Sequence, residues 1–203
     1  MCWSFARAFD PVDFRSYTAD LACMLLCIIC FDWNVQCRRA ASAALQENVG
    51  RQGEYFPHGI DIIQQTDYNL IGKFEYCFLT LAHSLVKYYQ IYGRYMIDHL
   101  LKYKIIHWKT ETRLLTSQLL EMTTLNYGTI DEIYESILLP LIDRCLDKKN
   151  DAIARHGLLA SCGRIIYGLH QRHQRVRITF CFLNFTMKSH IDIIHRNPMN
   201  AHV

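Results

Sequence analysis

The chain has 203 residues, of which 51% are hydrophobic and 20% charged, a balance that excludes a disordered polyelectrolyte. Its net charge of +3 excludes the strong basic footprint of a nucleic-acid binder. Four prolines and nine glycines are few for this length and predict a mostly helical chain. In chain order, helices are predicted near 2–9, 14–31, 35–48, 60–65, 74–91, 93–104, 110–124, 130–147 and 151–170, with a further one over 176–192. Asp10-Pro11 ends the first, because proline disfavours helix in the residue before it. The longest apolar run, Leu21 to Phe31, is shorter than the ~20 residues a spanning helix needs, so it is expected to be a buried helix without membrane insertion. The next helix is expected to break at Gly50 into a loop bearing glycine and proline. Thr129 and Glu132 form a capping-box pair at a helix start, and Pro140 lies inside that helix, where a kink is expected.

The nine cysteines do not form a disulfide framework. Their number is odd, no signal peptide precedes them, and most sit in apolar helical runs. Cys23, Cys27 and Cys30 share one helix face and are expected to pack as small buried hydrophobes rather than bind metal. A reducing compartment, the cytosol, follows.

A repeat is visible in the arginines. Asp32 precedes Arg38 by six residues, His107 precedes Arg113 by six, and Leu146-Asp147 precede Arg155. Leu139-Pro140-Leu141, Asp147 and Arg155 resemble the HEAT pattern of proline in a first helix, aspartate at the turn and arginine opening the second. The anchor between Arg38 and Arg113 is expected near residue 74, where Lys73 and Phe74 open a helical run. These spacings predict an all-α solenoid of about four HEAT- or armadillo-like repeats over residues 1–170. Residues 171–203 form a divergent tail of unassigned structure. Because Cys2 to Pro11 reads as the second helix of a repeat, the array is expected to start mid-repeat, as a fragment would.

Six blocks, CWSFARAFDP, DWNVQCRRAASAALQENVGRQ, FPHGIDI, MIDHL, KIIHW and ARHGLLASC, resemble in collinear order segments of the tubulin-specific chaperone D (tubulin-folding cofactor D) family. The likeness runs from about Cys2 to about His170 and covers a minor, central part of that longer protein. It implies a chaperone that captures β-tubulin after the chaperonin and assembles the α/β-tubulin heterodimer with tubulin-specific chaperones E and C. It implies binding of an Arf-like small GTPase, and stimulation of GTP hydrolysis by tubulin only with partner chaperones. It implies a cytoplasmic location on the microtubule cytoskeleton. The rivals are a generic HEAT-repeat interaction scaffold and an inactive partial product of the chaperone gene.

No catalytic, cofactor or metal constellation is expected, so the chain is read as a non-enzyme. Asp61, Asp67, Glu75 and Asp98 are scattered, no GxxxxGK[ST] run exists, and His170, His173, His190 and His195 lack a Cys or acidic complement. Arg172, Arg175 and Arg177 make a modest basic cluster, read as a solvated helix end. Arg38, Arg113 and Arg155 are expected to link neighbouring repeats through carbonyls or carboxylates. Arg39, with no repeat role of its own, is a partner-contact candidate. The loop Glu47 to Asp61 offers Arg51, Gln52, Tyr55, Phe56 and His58, either for a partner or as an insertion packed on the next repeat. Trp108 is either an interface anchor or inter-repeat packing.

Overall fold

The computed structural model describes Ser4 and residues 7–66 and 68–172. Among these every regular element is helical, as the scarcity of proline and glycine requires. A short helix α1 (Pro11–Phe14) and a 3₁₀ turn (Arg15–Tyr17) lead into α2 (Thr18–Phe31) and then α3 (Val35–Gln52). Two small helices follow, α4 (Gly59–Gln65) and α5 (Tyr68–Ile71). A π-turn (Tyr76–Leu81) runs into α6 (Ala82–Tyr88), and α7 (Gln90–His99) runs into another (Leu100–Lys104). The array continues through α8 (Thr110–Thr124) and α9 (Ile130–Ile133). A third π-turn (Tyr134–Leu138) joins α9 to α10 (Leu139–Leu146), before α11 (Ala152–Gln171).

Helix α2 packs along α3 and against α7, α7 lies on α6, α8 lies on α6 and most extensively on α11, and α10 closes on α11. The result is an armadillo-like stack with one continuous core. Cys23, Cys27 and Cys30 are buried in that core with Leu25, Leu26 and Ile29. Burial pushes the Cys23 thiol up to about 11 and the Cys27 thiol up to about 12, which keeps them neutral and inert.

The ends of the helices follow side-chain chemistry. Asp10 caps α1, its carboxylate accepting from the Val12 N–H at 2.8 Å. Asn34 caps α3 and Asp151 caps α11 in the same way. The capping box at Thr129 and Glu132 is present in both directions. Pro140 sits just after a π-turn rather than in a broken helix. The wider turn absorbs the missing N–H and the ring, so Ile130 to Leu146 stays continuous.

Two expectations are corrected. Helix α3 does not break at Gly50. It continues to Gln52 and ends at Gly53, whose φ of 54° supplies the left-handed turn. The apolar run ending at Phe31 belongs to a longer helical stretch, Pro11–Phe31, of 21 residues, within which an 18-residue window has mean hydropathy 1.6. By length and composition it could cross a membrane, but half of its apolar window is buried inside the array, and that burial accounts for its composition. Residues 173–203 and their histidines lie outside the described residues, as do Asp67 and Cys2; Arg172, read as part of a solvated helix end, is instead half-buried and donates to the Thr124 and Gly128 carbonyls, each at 3.1 Å.

His99 shows how the array responds to acid. Its ring stacks on Phe31 at 5.7 Å and tilts against Tyr103 at 5.1 Å. Burial, helped by the Lys104 ammonium, lowers its pKa from 6.5 to about 4. The folded state therefore favours the neutral ring, and stability is lost as pH falls from 6.5 towards 4 while the unfolded chain takes the proton first. His83 and His107 are lowered in the same direction, also mainly by burial. Thermal melting is expected to drop between pH 7 and pH 5, and less steeply in His99→Phe, which keeps the stack without the proton. Equal slopes for the two proteins would refute the assignment.

Candidate protein-interaction surface

The turn between α2 and α3 and the turn before α8 are built alike. Arg38 Nη1 donates to the carbonyls of Asp32 (3.0 Å) and Trp33 (2.9 Å). Arg113 Nη1 donates to those of His107 (2.7 Å) and Trp108 (3.0 Å). Each guanidinium thus folds back over the carbonyls five and six residues before it and cinches its turn. Other nitrogens reach the neighbouring segment, while Arg113 Nη2 donates to the Thr110 hydroxyl within its own turn. Arg38 donates to Ile71 and Gly72 carbonyls at 2.9 and 3.0 Å, over the Phe74 ring, and Arg113 donates to His156 Nδ1 at 3.1 Å. Both arginines are buried. The anchor expected near residue 74 is therefore the receiving end of the Arg38 latch. Arg155 breaks the pattern: it is exposed on the first turn of α11 and links nothing, so its expected repeat-bridging role is not found.

These cinched turns force the preceding tryptophans outward. Trp33 is 49% exposed and Trp108 70% exposed. The Lys109 ammonium sits between the two indoles, 3.2 Å from the Trp33 ring centroid and 5.1 Å from that of Trp108. His107 stacks on Trp108 at 5.6 Å, and Phe74 meets Trp33 edge-on at 4.9 Å. One edge of the array therefore presents two exposed indoles bridged by an ammonium. Arg38 and Arg113 are held by carbonyls, a hydroxyl and an imidazole rather than by carboxylates. Burial lowers the pKa of Lys104, with the Asp32 carboxylate acting in the opposite sense.

The other predicted contact residues separate into surface and core. Tyr55 is exposed, with the Arg15 guanidinium 3.4 Å over its ring. Arg51 is exposed and shares Glu47 with Arg7. His58 is exposed, held at φ 55° with its ring 4.9 Å from Tyr89. Phe56 and Gln52 are not surface residues. Phe56 is 2% exposed beneath Gly59, and the Gln52 amide donates inward to the Pro11 carbonyl at 3.2 Å. The loop turns back because the Tyr92 hydroxyl donates to the Pro57 carbonyl at 2.5 Å, so it is largely an insertion packed on the array. Arg39 is half-buried, with its guanidinium 4.5 Å over the Tyr68 ring, which gives it a packing role between α3 and α5. Trp33 and Lys109 are not contact candidates in the sequence, and Phe74 is there only as the start of a helical run. The available signal was a tryptophan five residues before each of the two latch arginines.

Among the described residues no group of three or more His, Cys, Asp or Glu side chains could hold a metal ion. A groove of about 470 Å³ between α7 and α9, lined by Arg94, Asp98, Tyr127 and Glu132, is polar and open.

Comparisons with known proteins agree with this architecture. Residues 1–60 match a family model described as tubulin-specific chaperone D-like ARM repeats. The chain is 27% identical over 175 residues to the tubulin-specific chaperone D of Dictyostelium discoideum, an alignment covering 85% of this chain and 11% of that protein. It is 26% identical over 141 residues to the tubulin-folding cofactor D of Schizosaccharomyces pombe, covering 70% of this chain and 12% of that one. The chain thus spans only about a tenth of the length of these relatives. No solved structure matches it. In its armadillo-like array the chain is similar to the tubulin-specific chaperone D proteins over most of its length.

Proposed function

We propose that this array is a client-handling segment of a tubulin-folding chaperone that holds β-tubulin while the α/β heterodimer is assembled. The observation that carries the reading is the edge where Trp33 and Trp108 flank the Lys109 ammonium. Exposed aromatics beside a positive charge suit capture of an acidic protein surface, the aromatics giving affinity and the charge steering. Tubulin is such a surface. In this reading the chain works by shape and charge, without a nucleotide site. Stimulation of tubulin GTP hydrolysis would require the partner chaperones E and C, and an Arf-like small GTPase would bind elsewhere on the full array. The setting is the cytoplasm, at the microtubule cytoskeleton. Arg51, Tyr55 and His58 form a second exposed cluster that extends the contact surface.

The test is a pull-down of folded tubulin by the purified chain, with circular dichroism of the same sample. Trp108→Ala and Lys109→Glu are expected to reduce capture by tenfold or more, while helicity and melting temperature stay unchanged. Trp108 is exposed, and the carbonyl by which it serves the Arg113 latch belongs to the backbone. Undiminished capture by both variants would remove this edge from the contact surface.

A further inference from the structure

Most of the described cysteines are protected by burial, but two on α10 and α11 are differently placed. Cys145, in the last turn of α10, is partly exposed, and its Sγ lies 3.8 Å from the Sγ of Cys162 in the middle of α11. Cys162 is buried behind it. Cys23, Cys27, Cys30 and Cys77 are closed off in the core, and Cys37 is exposed with no thiol partner among the described residues. Among the described residues only the Cys145–Cys162 pair therefore combines an accessible sulfur with a second sulfur in van der Waals contact.

We infer that Cys145 and Cys162 are a dithiol modification site, oxidised by a peroxide to a disulfide that staples α10 to α11. The Cys145 sulfur, which the oxidant can reach, attacks one peroxide oxygen. The O–O bond breaks, Cys145 becomes a sulfenic acid, and the departing oxygen leaves as water with the thiol proton. The Cys162 sulfur then attacks the Cys145 sulfur. The S–O bond breaks, the S–S bond forms, and the second oxygen leaves as water with the Cys162 proton. The peroxide is reduced by the two electrons that the thiol pair gives up. The Cys162 thiol hydrogen-bonds to Cys145 and, with the Arg144 guanidinium nearby, holds the Cys145 thiol below its ordinary pKa, while Cys162 itself is raised. The attacking and resolving roles follow that order. The sulfurs, already in contact across one helix pair, must close from 3.8 Å to a bond of about 2.0 Å. The staple encloses the turn between α10 and α11, and in a reducing compartment it would be transient.

The experiment is brief treatment of the whole purified chain with hydrogen peroxide, then alkylation, proteolysis and mass spectrometry. Circular dichroism is recorded on the same sample, and urea-unfolded chain serves as the scrambling control. The expected product is a peptide pair joined through Cys145 and Cys162. It should be absent in Cys145→Ser, with Cys162 then recovered as a thiol. The oxidised chain should melt several degrees higher, and dithiothreitol should reverse both changes. Recovery of Cys145 as a free thiol or a sulfinic acid, or crosslinks distributed as in the unfolded control, would overturn the assignment. An unchanged melting temperature with the crosslink present would overturn the stapling.

Discussion

Arg38→Met is expected to destabilise the array by about 3–5 kcal/mol, a large share of the ~5–15 kcal/mol that holds an ordinary domain together. The side chain is only 1% exposed and donates to four carbonyls, those of Asp32, Trp33, Ile71 and Gly72. Methionine fills much of the volume but leaves those acceptors facing a dry interior. Such an orphaned acceptor costs more than the bond contributed while it was made. Arg38→Lys should recover little, because one ammonium cannot span two loops as the planar guanidinium does. Arg113→Met is expected to behave similarly, since it too reaches across two segments. Arg155→Met is the control. It is exposed and bonded to nothing across the repeat, so its effect should stay within about 0.5 kcal/mol. Urea titrations of the three variants settle the matter. Equal midpoints for Arg38→Met and Arg155→Met would sink the latch.

This contrast also marks how far the sequence could be read. The arginine spacing led to the right mechanism at Arg38 and Arg113, because a guanidinium six residues into a turn can reach the carbonyls it has just passed. The reading failed at Arg155, where the turn aspartate Asp147 lies eight residues back rather than six and the side chain stays exposed. Helix positions were legible because apolar periodicity and caps such as Thr129–Glu132 are local properties. The end of α3 was not, because both Gly50 and Gly53 satisfy the pattern and only backbone geometry distinguishes the one that turns. Site residues divided along the same line. Trp108 was legible as a large aromatic at a turn, whereas Trp33 and Lys109 became a site only when two turns distant in sequence were brought side by side. Phe56 and Gln52 read as loop surface, yet a tertiary bond from Tyr92 to Pro57 folds that loop inward. No feature of the loop itself encodes that contact.

Gly157→Ala is expected to be as damaging as loss of a latch, at about 3 kcal/mol or more, although it adds a single methyl group. A Cβ at this position would lie 1.7 Å from the Ile105 carbonyl oxygen, where real contacts essentially never fall below 3.0 Å. The obstacle is backbone, so no side chain can swing aside, and α11 must move off the turn that precedes α8. That movement would also separate Arg113, whose Cδ is 3.0 Å from the same Cβ and whose guanidinium donates to the adjacent His156. The two residues therefore guard one interface from opposite sides, and Arg113→Met with Gly157→Ala should cost less than the sum of the single changes. Gly163→Ala, farther along the same helix, has open space at the new methyl and should instead stabilise by about 0.5–1 kcal/mol through helix propensity. Opposite signs for two identical substitutions on one helix would establish that contact with Ile105, rather than a general sensitivity of α11, sets the distance between these repeats. Equal signs would place the constraint elsewhere.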